Sequence, residues 1–192
     1  MIEWLISIDK DLLLLLNRCH TGFGDWLMFW LSNKYTWIPL YVVLIMLLIQ
    51  TYKWKGLWII LFAIAAITVS DQSCTHLFKN VFERLRPCHD PEIMDMVLLV
   101  NGKCGGKYGF ISSHASNTFA LAVFLTGWFR NRFRYFAWFI FPWAALVSYS
   151  RIYLGVHFPG DVIAGALFGS LTGWFFLWLS GKIVNRNNVY RV

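Results

Sequence analysis

Charge is what this sequence has least of: Asp, Glu, Lys and Arg make up 14% of its 192 residues, against 58% hydrophobic and 19% aromatic. A soluble domain of this length has too little interior to bury so much apolar surface. That excludes an ordinary soluble globule and predicts an integral membrane protein. Also missing are an internal repeat, a low-complexity tract and a linker long enough to separate one domain from another, so residues 1–192 are expected to form one domain. The extreme N-terminus carries Glu3 instead of a basic segment and shows no small-residue cleavage site, which argues against a removed signal peptide. Gly102, Gly105, Gly106 and Gly109 cluster, but they match neither a phosphate-binding loop nor a dinucleotide fingerprint. The four cysteines fit no zinc-site spacing.

What the sequence has in abundance is apolar windows, at 36–52, 56–82, 115–129, 133–149 and 162–181. Most approach the roughly 20 residues with which a helix spans a hydrocarbon core. Continuous apolar runs of this kind cross a bilayer only as helices. The expected fold is therefore an all-α membrane bundle with five spans. Residues 1–33 are less clear, because Asn17, Arg18, His20 and Asp25 interrupt the apolar stretches 12–16 and 26–31. This segment either crosses once, as a sixth span, or lies in the interface as two short amphipathic helices. Several of the 11 tryptophans (Trp37, Trp54, Trp58, Trp128, Trp174, Trp178) sit near segment ends, where amphipathic rings favour the headgroup layer.

Five alternating spans put Lys53, Lys55, Arg130, Arg132, Arg134, Lys182, Arg186 and Arg191 on one side. The positive-inside rule makes that side cytoplasmic. The net charge of +7 is then mainly a topology signal, with some attraction to anionic headgroups, and needs no nucleic-acid partner. The opposite side receives the 83–111 loop and three polar stretches that ordinary membrane segments lack.

The first stretch runs from Lys79 to Pro87. Lys79 and Arg86 are seven residues apart, near one helical face, and Pro87 predicts that the helix ends at Arg86. Ammonium and guanidinium groups are natural partners of phosphate oxygens. The second is Ser112-Ser113-His114, where either serine suits the N-cap of the next helix, whose free N–H groups attract an anion. The third runs from Ser150 and Arg151 through His157 to Asp161. Pro159 suits the first turn of the last helix, placing His157 just before it and Asp161 inside that turn. A carboxylate there can hold one imidazole nitrogen and leave the other free to attack phosphorus. Each stretch alone also has a plainer reading: cations snorkelling to headgroups, serines that only cap, and an acid that only favours a helix dipole. All three converge on one membrane face, and the chemistry they share is phosphoryl transfer.

Together they resemble the signature of the type 2 phosphatidic acid phosphatase and vanadium-dependent haloperoxidase superfamily: Lys, six residues, Arg-Pro; then Pro-Ser-Gly-His; then Ser-Arg, five residues, His, three residues, Asp. Lys79 to Pro87 and Ser150 to Asp161 match throughout, whereas Ile111 and Ser113 replace the Pro and Gly of the second element. The resemblance covers residues 56–180 and implies a six-helix membrane phosphatase that needs no metal or other cofactor. It implies His157 as nucleophile, Asp161 as its orienting partner and His114 as general acid. Lys79, Arg86, Ser112, Ser113 and Arg151 would hold the phosphoryl oxygens.

Cys88 and Cys104 fall in the same 83–111 loop, which is expected outside the cytoplasm, and there they form either a disulfide or two free thiols. Cys19 and Cys74 read as unpaired. A site at the outer interface suits a lipid phosphate in the membrane: undecaprenyl pyrophosphate by preference, or phosphatidylglycerophosphate, phosphatidic acid or the 1-phosphate of lipid A. Compactness favours a bacterial plasma-membrane enzyme. The same cations would also serve a non-catalytic lipid-phosphate binder or transporter.

Overall fold

A computed structural model describes residues 2–184, so Arg186 and Arg191, expected among the cytoplasmic cations, lie outside the described residues. Two helices, α1 (Ile2–Asn17) and α2 (Gly22–Ser32), come first. A 3₁₀ turn at Lys34–Trp37 leads into α3 (Ile38–Tyr52), followed by α4 (Trp54–Ser73). The latter continues through a π-helical turn, Cys74–Lys79, into the short α5 (Asn80–Phe82). After a long loop come α6 (Ser113–Phe129), α7 (Phe136–Tyr153) and α8 (Pro159–Ile183). No strand forms among the described residues.

The chain is an integral membrane protein: Lys34–Tyr52, Trp54–Phe82 and Pro159–Ile183 are each long and apolar enough to cross a bilayer. Their outer faces carry exposed apolar side chains, among them Val42, Ile45, Leu61, Ile64, Leu167 and Leu171. In water these would form a very large apolar patch, whereas in a bilayer they meet acyl chains. The helices follow the apolar windows to within a few residues. The main departure is α7, which starts and ends later than its window because residues 130–135 are spent on a tight turn.

Of the segment 1–33, the described residues form two separate helices. The break falls where Thr21 caps α2, its hydroxyl accepting from the Gly24 N–H at 3.0 Å. Eleven residues make α2 about 16 Å long, half of a hydrocarbon core. Meanwhile α1 is tied to the 83–111 loop: Lys10 pairs with Asp90 and Glu92 at 2.7 Å each, and the Asn17 amide donates to the Leu98 carbonyl at 3.1 Å.

At the centre stands α6, buried on nearly every face. Its partner α8 approaches along a stripe of small residues, Gly165, Gly169 and Gly173. A Cβ at these positions would lie 2.5, 2.0 and 2.3 Å from the backbone carbonyl oxygens of Ser112, Ser116 and Ala120. Only glycine permits that distance, and small residues spaced four apart are how membrane helices bring their backbones together. The contact matters for the site because α6 begins with Ser113 and His114, and α8 begins beside His157. At the other end of the bundle the Tyr52 hydroxyl donates to the Trp128 carbonyl, and the Trp128 indole N–H donates to Ser180 at 3.1 Å. The basic turns at 53–55 and 130–134 and the end of α8 therefore share one end, opposite the three polar stretches of the sequence.

Candidate active site

Lys79 closes the π-helical turn and donates from Nζ to the Ser113 hydroxyl at 2.7 Å, joining α4 to the start of α6. The helix does not reach Arg86, as the sequence had suggested. It stops at Phe82, and Glu83 takes a left-handed conformation at φ 46°. Lys79 and Arg86 thus do not share a helical face; the chain turns back and runs extended, consistent with the bias Pro87 imposes on the residue before it. The Arg86 N–H donates to the Lys107 carbonyl at 3.0 Å, and Gly109 N–H to the Arg84 carbonyl at 2.8 Å. The Arg86 guanidinium is cradled by backbone: Nε donates to the Tyr108 carbonyl and Nη1 to the Cys104 carbonyl, both at 3.2 Å. Gly109 keeps this contact close, because a Cβ would lie a tight 3.1 Å from Arg86 Cγ and 3.2 Å from an Asp161 oxygen. Cys88 and Cys104 close the base of this loop, with their sulfurs together and their Cα atoms 6.1 Å apart.

Ser112 occupies the cap position of α6, but its hydroxyl makes no cap bond and is buried without a partner. Its N–H donates to the Asp161 carbonyl at 3.0 Å instead, so Ser112 ties α6 to α8. The next connection is equally constrained. Asp161 is wholly buried in the first turn of α8, and its Oδ2 accepts from the Phe158 N–H at 3.1 Å. His157, 2% exposed, directs Nδ1 at the same oxygen at 3.4 Å. Burial pushes this imidazole well below its ordinary value, and Arg86, Arg151 and Lys79 act in the same direction. It is therefore held neutral. Burial likewise lowers the Arg86 guanidinium, which remains charged at any working pH.

Lys79, Arg86, Ser113, His114, Arg151 and His157 all face one cavity of about 400 Å³. Asp161 stands behind His157, and Ser112 behind Ser113. The sequence-derived set thus assembles, with Ser112 and Asp161 as supports and the other six lining the space.

Several contributors went unnoticed in the sequence. Arg84 donates from Nη1 to Asp161 Oδ1 and from Nη2 to Asp9 Oδ2, both at 2.7 Å, and Asp9 also accepts from the Gly160 N–H at 2.7 Å. A four-membered chain, Asp9–Arg84–Asp161–His157, thus runs from α1 to the imidazole. Arg84 lay inside a basic stretch already singled out, but Asp9 carried no signal of its own. Ser32, at the end of α2, is the second surprise. Its carbonyl lies 3.2 Å from His114 Nε2, and its hydroxyl accepts from Arg151 Nη1. Asp71 and Asn117 also line the cavity, joined at 3.0 Å.

Comparison with known proteins accords with this geometry. A family model described as "PAP2 superfamily" matches residues 56–184. The chain is 42% identical over 189 residues to the lipid A 4'-phosphatase of Bacteroides thetaiotaomicron, covering 97% of this chain and 83% of that one. It is 32% identical over 174 residues to the undecaprenyl-diphosphatase of Sulfolobus acidocaldarius, covering 86% and 75%. Among solved structures, the PAP2-type phosphatidylglycerolphosphate phosphatase of Bacillus subtilis has the same fold, with a TM-score of 0.72 at 21% identity over 93% of this chain and 87% of that one.

Proposed function

Because this chain belongs to the PAP2 superfamily, we propose that it removes phosphate from a lipid at the outer face of a bacterial plasma membrane, through a phosphohistidine at His157. The observation that carries this reading is a neutral, buried His157 backed by Asp161 and facing Lys79, Arg86, Arg151 and His114 across one cavity.

In the first step the unprotonated His157 nitrogen attacks phosphorus and the P–O bond to the lipid breaks. His114 protonates the departing oxygen. In the second step water attacks, His114 takes its proton, the P–N bond breaks and inorganic phosphate leaves. Asp161 orients the imidazole and stabilises its charge. Lys79, Arg86, Arg151 and the Ser113 hydroxyl neutralise the phosphoryl oxygens, which is most of what phosphoryl transfer needs. None of these steps calls on a metal or other cofactor.

Residues 1–192 form a single phosphatase domain in which α3, α4, α6, α7 and α8 are the five spans, with the basic turns inside and the 83–111 loop outside. Both N-terminal helices lie in the outer interface, since α2 is too short to cross and α1 is bonded to the outer loop. Cys88 and Cys104 form a disulfide there. The substrate is a lipid A phosphate, at the 4' position, by analogy with the relative that this chain matches over nearly its whole length. A second reading, undecaprenyl diphosphate, rests on the more distant relative of that name.

The test is phosphate release by purified full-length protein in detergent with a chelator present. Each candidate lipid is assayed with wild type and with His157→Ala. Release that persists in the alanine variant, or is absent from wild type on every lipid tried, refutes the reading. Acid-labile phosphate trapped on wild type and missing from the variant supports it.

A further inference from the structure

Below the phosphate-binding groups the cavity changes character in steps. Counting inward along α6, Ser113 and His114 are followed one turn deeper by Asn117 and Thr118, then by Leu121. Along α4, Asp71 precedes Lys79 by two turns and Ile67 lies one turn further in. Trp143 sits two turns below Arg151 on α7. At about 1.5 Å per residue the middle level lies roughly 6–12 Å below the phosphate. Cations flank it above, Ile67 and Leu121 lie toward its apolar end, and Val147 sits on its α7 wall between Arg151 and Trp143. From there an apolar groove of about 170 Å³ continues past Leu44, Leu48 and Leu125.

The middle level is polar where a simple lipid would need it apolar. Asp71 is an ionisable group on a membrane-spanning helix, which by default marks function. Its carboxylate opens into the same cavity two turns from Lys79, where it would repel a phosphate placed against it and suits a hydrogen-bond donor of the substrate instead. Asn117 donates one amide proton to Asp71, while its Oδ1 is buried with no partner. Trp143 is 5% exposed, and its indole N–H has no partner either. The Trp37 and Tyr41 rings stand edge-on to it at 5.5 and 6.4 Å and extend the aromatic wall. Buried donors and acceptors without partners cost free energy unless a ligand supplies them.

We propose that Asp71, Asn117 and Trp143 form a subsite for a sugar ring that joins the phosphate to the apolar chains of the lipid. Ring hydroxyl or amide N–H groups donate to Asp71 and to Asn117 Oδ1, and a ring or amide oxygen accepts from Trp143 Nε1. The sequence of cations, polar groups and apolar wall then reads phosphate, sugar, acyl chain. A polyprenyl diphosphate would place hydrocarbon against a carboxylate. This assignment rests on the phosphatase reading above and sharpens its choice of substrate.

The test compares two lipids of equal acyl length, an acylated glucosamine phosphate and phosphatidic acid, in detergent micelles with the full chain. Wild type should favour the glycolipid by at least ~10-fold in kcat/KM, as expected for a site built around hydrogen bonds to its ligand. Trp143→Phe should raise KM for the glycolipid about 10-fold, one buried hydrogen bond, and Asn117→Leu by more than that because it also removes the donor to Asp71; both should leave phosphatidic acid within about 2-fold. A wild-type enzyme with no preference overturns the proposal, and that measurement holds even if a variant fails to fold. Equal losses on both lipids also overturn it, since a merely structural role would act on both alike. If neither lipid yields His157-dependent phosphate, the sugar subsite is overturned, and undecaprenyl diphosphate in the same micelles decides separately whether the phosphatase reading falls with it.

Discussion

Replacing Arg84 by methionine should slow the chemistry without weakening substrate binding. The side chain touches neither the cavity nor the phosphate position; it holds Asp161, which holds His157. The Asp161 carboxylate is 0% exposed and the Arg84 side chain 26% exposed. Removing one partner of a buried ion pair costs about 3–5 kcal/mol. Because Arg84 is a quarter exposed, water can enter its place and screen the stranded carboxylate, which leaves roughly 2 kcal/mol, or about 30-fold in rate, after that discount. The expectation is a kcat about 30-fold lower with KM within about 2-fold, the mark of an interaction that matters mainly in the transition state. Asp9→Asn should cost less, about 5-fold or 1 kcal/mol, because Arg84 keeps its bond to Asp161. The double variant is the decisive case. In Arg84→Met the Asp9 charge is itself left without its partner, so neutralising it adds no further harm, and the double variant should stay near the 30-fold loss of Arg84→Met alone. The assay is steady-state phosphate release, with melting temperatures as the check on folding. A double variant at the product of the two single losses, about 150-fold, would show that the residues act independently, and the relay from α1 to His157 would be wrong.

Two further outcomes follow from the same geometry. The acid limb of kcat/KM should fall well below the ordinary imidazole value of about 6.5, because burial and three cations favour the neutral, nucleophilic form of His157 in the free enzyme. Bound phosphate brings negative charge that favours the protonated form, so the limb of kcat should lie higher than that of kcat/KM. A kcat/KM limb at or above 6.5 that stays fixed when the lipid phosphate is changed would contradict the assignment. Unreduced, unfolded protein should show two reactive thiols, those of Cys19 and Cys74, and four after reduction. Reduction should cost about 3 kcal/mol of stability by loop entropy. It should also raise KM, because Cys104 supplies a carbonyl that holds Arg86. Four thiols before reduction would refute the bridge.

How much of this was legible in the chain depended on how local the cause was. Windows of apolar residues announced α3, α4, α6, α7 and α8 because an apolar run is visible one helix at a time, and three of the resulting segments are long and apolar enough to cross a bilayer. Pro159 announced the start of α8, and with it the relation of His157 to Asp161, because four residues and one turn settle that geometry. The helix expected to carry Lys79 and Arg86 together failed for the opposite reason. Pro87 acts on Arg86 alone, whereas the stop at Glu83 comes from pairing with residues 107–109, some twenty positions away. The glycine stripe on α8 was visible at a spacing of four, but its meaning required knowing that α6 lies opposite.

Asp9 and Ser32 are the most distant cases. Each belongs to an N-terminal helix that offers no catalytic motif, and each reaches a residue more than seventy positions away. Yet their placement gives those helices a purpose that span prediction cannot. A helix lying in the outer interface can present a serine to His114 and Arg151 from one side and an aspartate to Arg84 from another. A sixth span buried among the others would have to reach the same atoms from within the bundle, where α6 and α8 already touch backbone to backbone. In the topology proposed above, residues 2–33 clamp the open end of the bundle. The polar residues at the edges of their apolar stretches supply the points of attachment: the charges at Asp9 and Lys10 and the polar groups at Asn17 and Ser32.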